Sequence, residues 1–142
     1  MKPKNVLNFF ALMCLSVIAA NAQGCDDIKA TQKTKPSSIG IVISSNDAET
    51  VWNAFRLANY SLQQGDTVSI FLLGKGVESP NVSNQDYNVT ELMEKFSDTG
   101  GKILACGTCL KSRNSEGSKL CPVSTLSDLY AIIKTNKTIL TF

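Results

Sequence analysis

Histidine is absent from this 142-residue sequence. No imidazole is available as a general base, a proton shuttle or a metal ligand, so any reactive chemistry must draw on backbone dipoles, thiols and fixed charges. Excess charge is missing too. Lys2 and Lys4 belong to an N-terminal leader; without them the totals of 14 basic and 12 acidic residues come into balance. No basic stripe interleaved with aromatics is present, which excludes nucleic acid as a partner class. The glycine patterns that cradle nucleotide phosphates, G-x-G-x-x-G and G-x-x-x-x-G-K-[ST], are also missing, and Gly74-Lys75-Gly76 reads as a turn. Beyond Ala22 no apolar run approaches the ~20 residues that span a bilayer. There is no internal repeat and no low-complexity tract. Neither a cofactor nor a resident metal is expected: Cys106, Cys109, Cys121 and Cys25 lack the second Cys-x-x-Cys or histidine pair that completes a zinc site.

The first residues carry the pattern of an export signal. A positive head (Lys2, Lys4) precedes an apolar stretch from Val6 to Ala20, interrupted by Asn8 and Ser16. Ala20-Asn21-Ala22 then supplies the small-x-small site, giving expected cleavage before Gln23. The alternatives are an uncleaved anchor and lipidation at Cys25, where Ala22-Gln23-Gly24-Cys25 is a poor lipid-attachment motif. The expected organisation is a signal peptide over 1–22, a polar flexible leader over 23–37 and one domain over 38–142. The protein is expected to be periplasmic or secreted, with no membrane association after cleavage.

Within the domain, continuous β-branched and apolar runs predict buried strands of a parallel sheet at Ile39–Ile43, Val68–Leu73 and Lys102–Ala105. Cys121-Pro122-Val123 reads as a short fourth strand or extended passage, and Thr138–Phe142 as a terminal strand. Asn46 with Glu49 suggests a capping box opening a helix over Asp47–Gln64, whose buried stripe is Val51, Phe55, Ala58 and Leu62. Trp52 and Phe55 read as core or subunit-interface residues. Glu78–Asn88 reads as a long loop. Val89, Leu92, Met93 and Phe96 mark a second helix. Leu126, Leu129, Tyr130 and Ile133 mark the inner face of a last helix capped by Ser124 or Thr125. Strands alternating with helices imply an α/β domain with a mostly parallel five-stranded sheet and helices on both faces.

Ala105-Cys106-Gly107-Thr108-Cys109 carries the chemistry. Ligands and reactive groups gather beyond the carboxyl ends of parallel strands, and Cys106 stands at such an end. If a helical turn begins there, its thiol meets unpaired amides. Lys102, Lys111, Arg113 and Lys119 are near in sequence, with Lys111 and Arg113 the chief candidates to favour a thiolate. Cys106 and Cys109 are the candidate reactive pair. Cys121 is a secondary candidate: a resolving thiol, a disulfide partner of Cys25, or a packed apolar residue. Ser44, Asn46 and Gly74 are expected to line the same mouth. A plain Cys106–Cys109 disulfide remains an alternative in an exported protein.

The motifs from Ile39-Gly40-Ile41-Val42-Ile43-Ser44-Ser45-Asn46-Asp47 to Ala58, from Val68 through Leu73-Gly74-Lys75-Gly76-Val77-Glu78, and Ile103-Leu104-Ala105-Cys106-Gly107-Thr108-Cys109-Leu110 together resemble the DsrE/DsrF-like family of small sulfur-relay proteins. The resemblance spans about Ser38 to Phe142. It implies a Rossmann-like three-layer α/β/α sandwich assembled as trimers or hexamers. It also implies a cysteine at Cys106 or Cys109 that carries sulfur as a persulfide between donor and acceptor proteins. Three readings follow: an exported sulfur carrier using Cys106 first, a thiol–disulfide oxidoreductase using the Cys106/Cys109 pair, and a non-enzymatic oligomeric binding module whose cysteines are locked in disulfides.

Overall fold

The computed structural model describes residues 35–142. The expected signal peptide, Cys14, Cys25 and all but the last residues of the expected leader lie outside that range. Strands β1 (Ser38–Ile43), β2 (Thr67–Leu72), β3 (Lys102–Cys106), β4 (Val123–Ser124) and β5 (Thr138–Thr141) form one sheet in the order β4-β3-β2-β1-β5. Every pairing is parallel, so the sheet is parallel throughout. The mostly apolar runs of β1, β2 and β3 are those of strands buried on both faces.

Alternation along the strands divides the interior. Ile41 and Ile43, Ile70 and Leu72, Ile103 and Ala105 turn to one face, where they meet Val51, Ala54, Phe55 and Ala58 of α1 (Ala48–Gln63) and Val89, Met93 and Phe96 of α2 (Val89–Asp98). Val42, Phe71 and Leu104 turn to the other face, beneath Leu129 and Ile132 of α4 (Leu126–Thr135). Phe55 and Phe96 pack edge to face at 5.9 Å, joining α1 to α2. The buried Asn59 of α1 donates to the Leu92 carbonyl of α2 at 3.0 Å, which fixes the same contact with a polar bond.

Three local expectations are corrected. Helix α1 is capped by Asp47, one residue later than the Asn46–Glu49 box: Asp47 Oδ1 accepts from the Thr50 N–H at 2.9 Å and the Thr50 hydroxyl at 2.7 Å. Asn46 is turned away to a carboxylate elsewhere, so it does not cap. The loop expected from Glu78 begins instead inside a 3-10 helix, Gly74–Asn81, and α2 starts at Val89 behind the Asn88 cap. On α4 the inner face is Leu129 and Ile132. Leu126, Tyr130 and Ile133 point outward, 77%, 63% and 46% exposed. One ten-residue helix covers this side of the sheet, and two side chains at i, i+3 suffice to fill its contact. The Thr125 cap is present, with Asp128 completing a reciprocal capping box. Trp52 is only partly buried; Tyr87 meets its ring at 5.5 Å and the Arg56 guanidinium lies 4.4 Å above it.

Candidate functional site

The carboxyl ends of β1, β2 and β3 converge on the two thiols. Strand β3 ends at Cys106, and a single helical turn, α3 (Gly107–Lys111), follows at once. Cys106 is its N-cap, and its Sγ accepts the Cys109 N–H at 3.4 Å. The arrangement is that of a serine cap with sulfur in place of oxygen. Across the mouth, strand β2 gives way to the 3-10 helix, and the Gly74 N–H points at Cys109 Sγ, 3.2 Å away. Both cysteines are partly exposed, and both are free thiols.

Two glycines permit this approach. Gly74 has φ +55°, a left-handed conformation that aims its N–H at the sulfur. Gly76 backs onto the end of β1 so closely that a Cβ would lie 2.0 Å from the Ile43 carbonyl oxygen. The same oxygen accepts the Leu73 N–H at 2.8 Å. The buried Ser79 hydroxyl donates to the Gly76 carbonyl at 2.6 Å and tightens the turn. The donor facing Cys109 is therefore carried by a loop pressed against the sheet.

The electrostatics differ from the sequence expectation. Burial first, and proton sharing with the Cys109 sulfur second, push the Cys106 thiol above its usual value, while the N–H groups of Cys109 and Thr108 pull the other way. An ionised Cys106 is thus disfavoured. The expected cations do not serve it. Lys102 starts β3 and stands four residues from its end, roughly 13 Å away along an extended strand. Lys111 is exposed on the last turn of α3 and lines an outer cavity with Gly107 and Val123. Lys119 is likewise exposed. Arg113 turns from the thiols toward Glu78: Arg113 Nε donates to Glu78 Oε1 at 2.7 Å. Its Nη1 donates to the Cys109 carbonyl at 3.1 Å.

Of the residues expected at the mouth, Gly74 touches Cys109 directly. Asn46 reaches the site through Glu78, donating to its Oε2 at 2.9 Å. Ser44 anchors the last residue of the chain, with its hydroxyl donating to the Phe142 carbonyl at 3.0 Å. Cys121 is 3% exposed and packed in the larger core. It forms part of the wall of a cavity of about 210 Å³ with Val77, Ala105 and Leu110. Burial raises its thiol to about 11, which keeps it protonated at neutral pH. Its proposed pairing with Cys25 involves a residue outside the described range. Glu78 was not singled out. Its partner is 35 positions away, and no local pattern signals such a pair.

The described residues form a parallel α/β sandwich with two thiols where β3 meets a one-turn helix. The chain belongs to the DsrE/DsrF-like family, which it matches over residues 37–142. It is 32% identical over 103 residues to protein MJ0989 of Methanocaldococcus jannaschii, covering 66% of this chain and 88% of that protein. It is 30% identical over 103 residues to protein MK0008 of Methanopyrus kandleri, covering 66% and 83%. The crystal structure of the ychN protein from E. coli superimposes with a TM-score of 0.66 at 19% identity, over 76% of this chain and all of that one. That likeness establishes the fold.

Proposed function

We propose that this protein is an exported sulfur carrier in which Cys109 takes up sulfane sulfur as a persulfide and hands it to an acceptor protein. The observation that supports it best is the Gly74 N–H aimed at Cys109 Sγ, beside a second thiol, at the strand ends of a DsrE/DsrF-like domain. A donor fixed on Sγ favours negative charge there, which is the charge that sulfur carries as the attacking thiolate in loading and as the leaving group in delivery.

In the loading step, the Cys109 thiolate attacks the outer sulfur of a donor persulfide. A bond forms between the two sulfurs, the donor S–S bond breaks, and the donor leaves as a thiolate. Delivery is the same exchange in reverse, with an acceptor thiolate attacking the outer sulfur and Cys109 departing as the leaving group. No net oxidation accompanies either step. Cys106, which keeps its proton, is placed to share it with Cys109 during exchange. The order of roles thus departs from the sequence reading, which put Cys106 first. Cys121 takes no part, being buried and held protonated.

Incubation of reductant-free protein with a persulfide donor, followed by mass spectrometry, tests this reading. One added sulfur, about 32 Da, is expected on wild type and on Cys106→Ser and is lost in Cys109→Ser. No adduct on any cysteine would reject the carrier.

A second reading, dithiol–disulfide exchange, is favoured by the hydrogen bond that places both thiols in one turn. It requires an oxidised partner to accept two electrons. A potential below about −300 mV for the pair would mark a structural disulfide and count against it. We further propose that the protein is a homo-oligomer, a trimer or hexamer, closed over the exposed apolar stripe of Leu126, Tyr130 and Ile133.

A further inference from the structure

Helix α3 is five residues long, a single turn. A helix this short does not hold itself: nucleation is costly, and only neighbouring contacts keep the turn formed. Cys109 therefore depends on outside bonds for its position. Three hold it. Its N–H goes to Cys106 Sγ, its Sγ receives the Gly74 N–H, and its carbonyl accepts from Arg113 Nη1 at 3.1 Å and the Ser112 hydroxyl at 2.9 Å. The Arg113 backbone N–H bonds the Leu110 carbonyl instead, so the Cys109 carbonyl relies on those side chains.

Arg113 is in turn directed by Glu78, and Glu78 uses both carboxylate oxygens. Oε1 takes Arg113 Nε and Oε2 takes Asn46 Nδ2. One carboxylate thus ties together the segment after β1, the 3-10 helix after β2 and the turn after β3. The 3-10 helix that bears Glu78 begins with Gly74, the donor to Cys109 Sγ. Among the described residues this is the only side-chain ion pair. Both members are partly exposed, so the pair adds little to global stability. Its value lies in geometry.

We propose that Glu78 is a positioning residue for Cys109: through Arg113 it holds the α3 turn, and through its own helix it holds the Gly74 N–H, at the spacing that makes the Cys109 sulfur reactive. The inference rests on the reading of Cys109 as the working thiol and extends it to a residue that touches neither sulfur.

Site-resolved alkylation of the full chain with iodoacetamide tests it, because that reaction needs no sulfur donor. Loss of one hydrogen bond to a charged sulfur corresponds to about a tenfold loss of rate. Glu78→Gln is expected to slow Cys109 by about that factor at pH 7.5, with Cys106 in the same molecules changing less than about threefold. Glu78→Asp should recover most of the loss. Arg113→Ala should match Glu78→Gln, and the double variant should be no slower than either single one. Arg113→Ala also serves where Glu78→Gln does not fold. Cys109 rates within about twofold of wild type would overturn the proposal, as would Cys106 and Cys109 slowing together, the sign of general loosening. A wild type that accepts no sulfur, with the Glu78 effect intact, would sink the carrier and leave the positioning role standing. Sulfur uptake with a flat alkylation response would do the reverse.

Discussion

Replacing Gly76 by alanine should damage this domain far more than replacing Gly74, two residues away. At Gly74 the backbone is left-handed, φ +55°, but the space is open: a Cβ would meet nothing nearer than the Ser44 carbonyl oxygen at 3.8 Å. The cost is conformational, about 1–2 kcal/mol, partly offset by the lower entropy of the unfolded alanine chain. At Gly76 the same methyl would sit 2.0 Å from the Ile43 oxygen and 2.7 Å from its carbon. Both are backbone atoms of a central strand and cannot swing aside. The loop must back away, which also strains the Leu73 N–H bond to that oxygen. Overpacking contributes about 1–3 kcal/mol and a weakened hydrogen bond about 1 kcal/mol, for a total near 3 kcal/mol. The gap between the variants should be about 2 kcal/mol, or roughly 10 °C in Tm for a domain of this size. Urea and thermal unfolding of both variants read it directly. Because the displaced loop carries the Gly74 donor, Gly76→Ala should also slow alkylation of Cys109, while Gly74→Ala keeps its N–H. Equal midpoints for the two variants, or a Gly76→Ala protein as stable as wild type, would refute the close approach on which the site is built.

Acid should expose the last helix. Asp128 accepts from the Thr125 N–H and from the Ser124 and Thr125 hydroxyls, and these bonds hold its carboxyl at about 2, below the ordinary 3.8. A lowered folded value means the stabilisation is full above the ordinary value and is lost as pH falls through about 2. The Tm advantage of wild type over Asp128→Asn should be constant from about pH 5 to 8 and close below about pH 4; an advantage unchanged at pH 2.5 would contradict it. The outward stripe on α4 makes the third prediction. Leu126→Asp with Tyr130→Asp should reduce the mass in solution to that of one chain, measured by light scattering, with thermal stability nearly unchanged. A wild type that is already monomeric would remove the proposed interface.

The inner part of the sheet was readable because β1, β2 and β3 are mostly apolar, as burial on both faces demands, and the structure places them within a residue or so of the expected bounds. Helix α4 was readable in place but not in orientation. Leu126, Leu129, Tyr130 and Ile133 follow helical spacing, yet spacing alone does not say how wide a stripe the neighbouring sheet will cover. Here Leu129 and Ile132 make the contact and the other three stay outside. The Asn46 error has a similar source. Asn46 and Asp47 are adjacent and both suit a cap, and the distant Glu78 claims Asn46. At the site, the position of the thiol pair was legible from a Cys-x-x-Cys at a strand end. Its electrostatics were not. Nearness in sequence suggested Arg113 as a cation for sulfur, whereas a carboxylate from another loop takes the guanidinium. For Cys121 the sequence left open a resolving thiol, a partner for Cys25 and a packed small hydrophobe, and the fold seats it in the core.

The account stands on Cys109 as the reactive sulfur among the three described cysteines, which differ only in surroundings. Cys109 lies under a backbone donor and is partly exposed. Cys106 is pushed toward the thiol by burial and by its neighbour. Cys121 is enclosed and raised to about 11. The most direct test is a time course of alkylation on the native, reduced wild-type protein at neutral pH, with each cysteine quantified by peptide mass spectrometry. The account predicts Cys109 first, Cys106 more slowly, and Cys121 only after unfolding. Labelling of Cys106 ahead of Cys109, or of Cys121 in the folded protein, would contradict it.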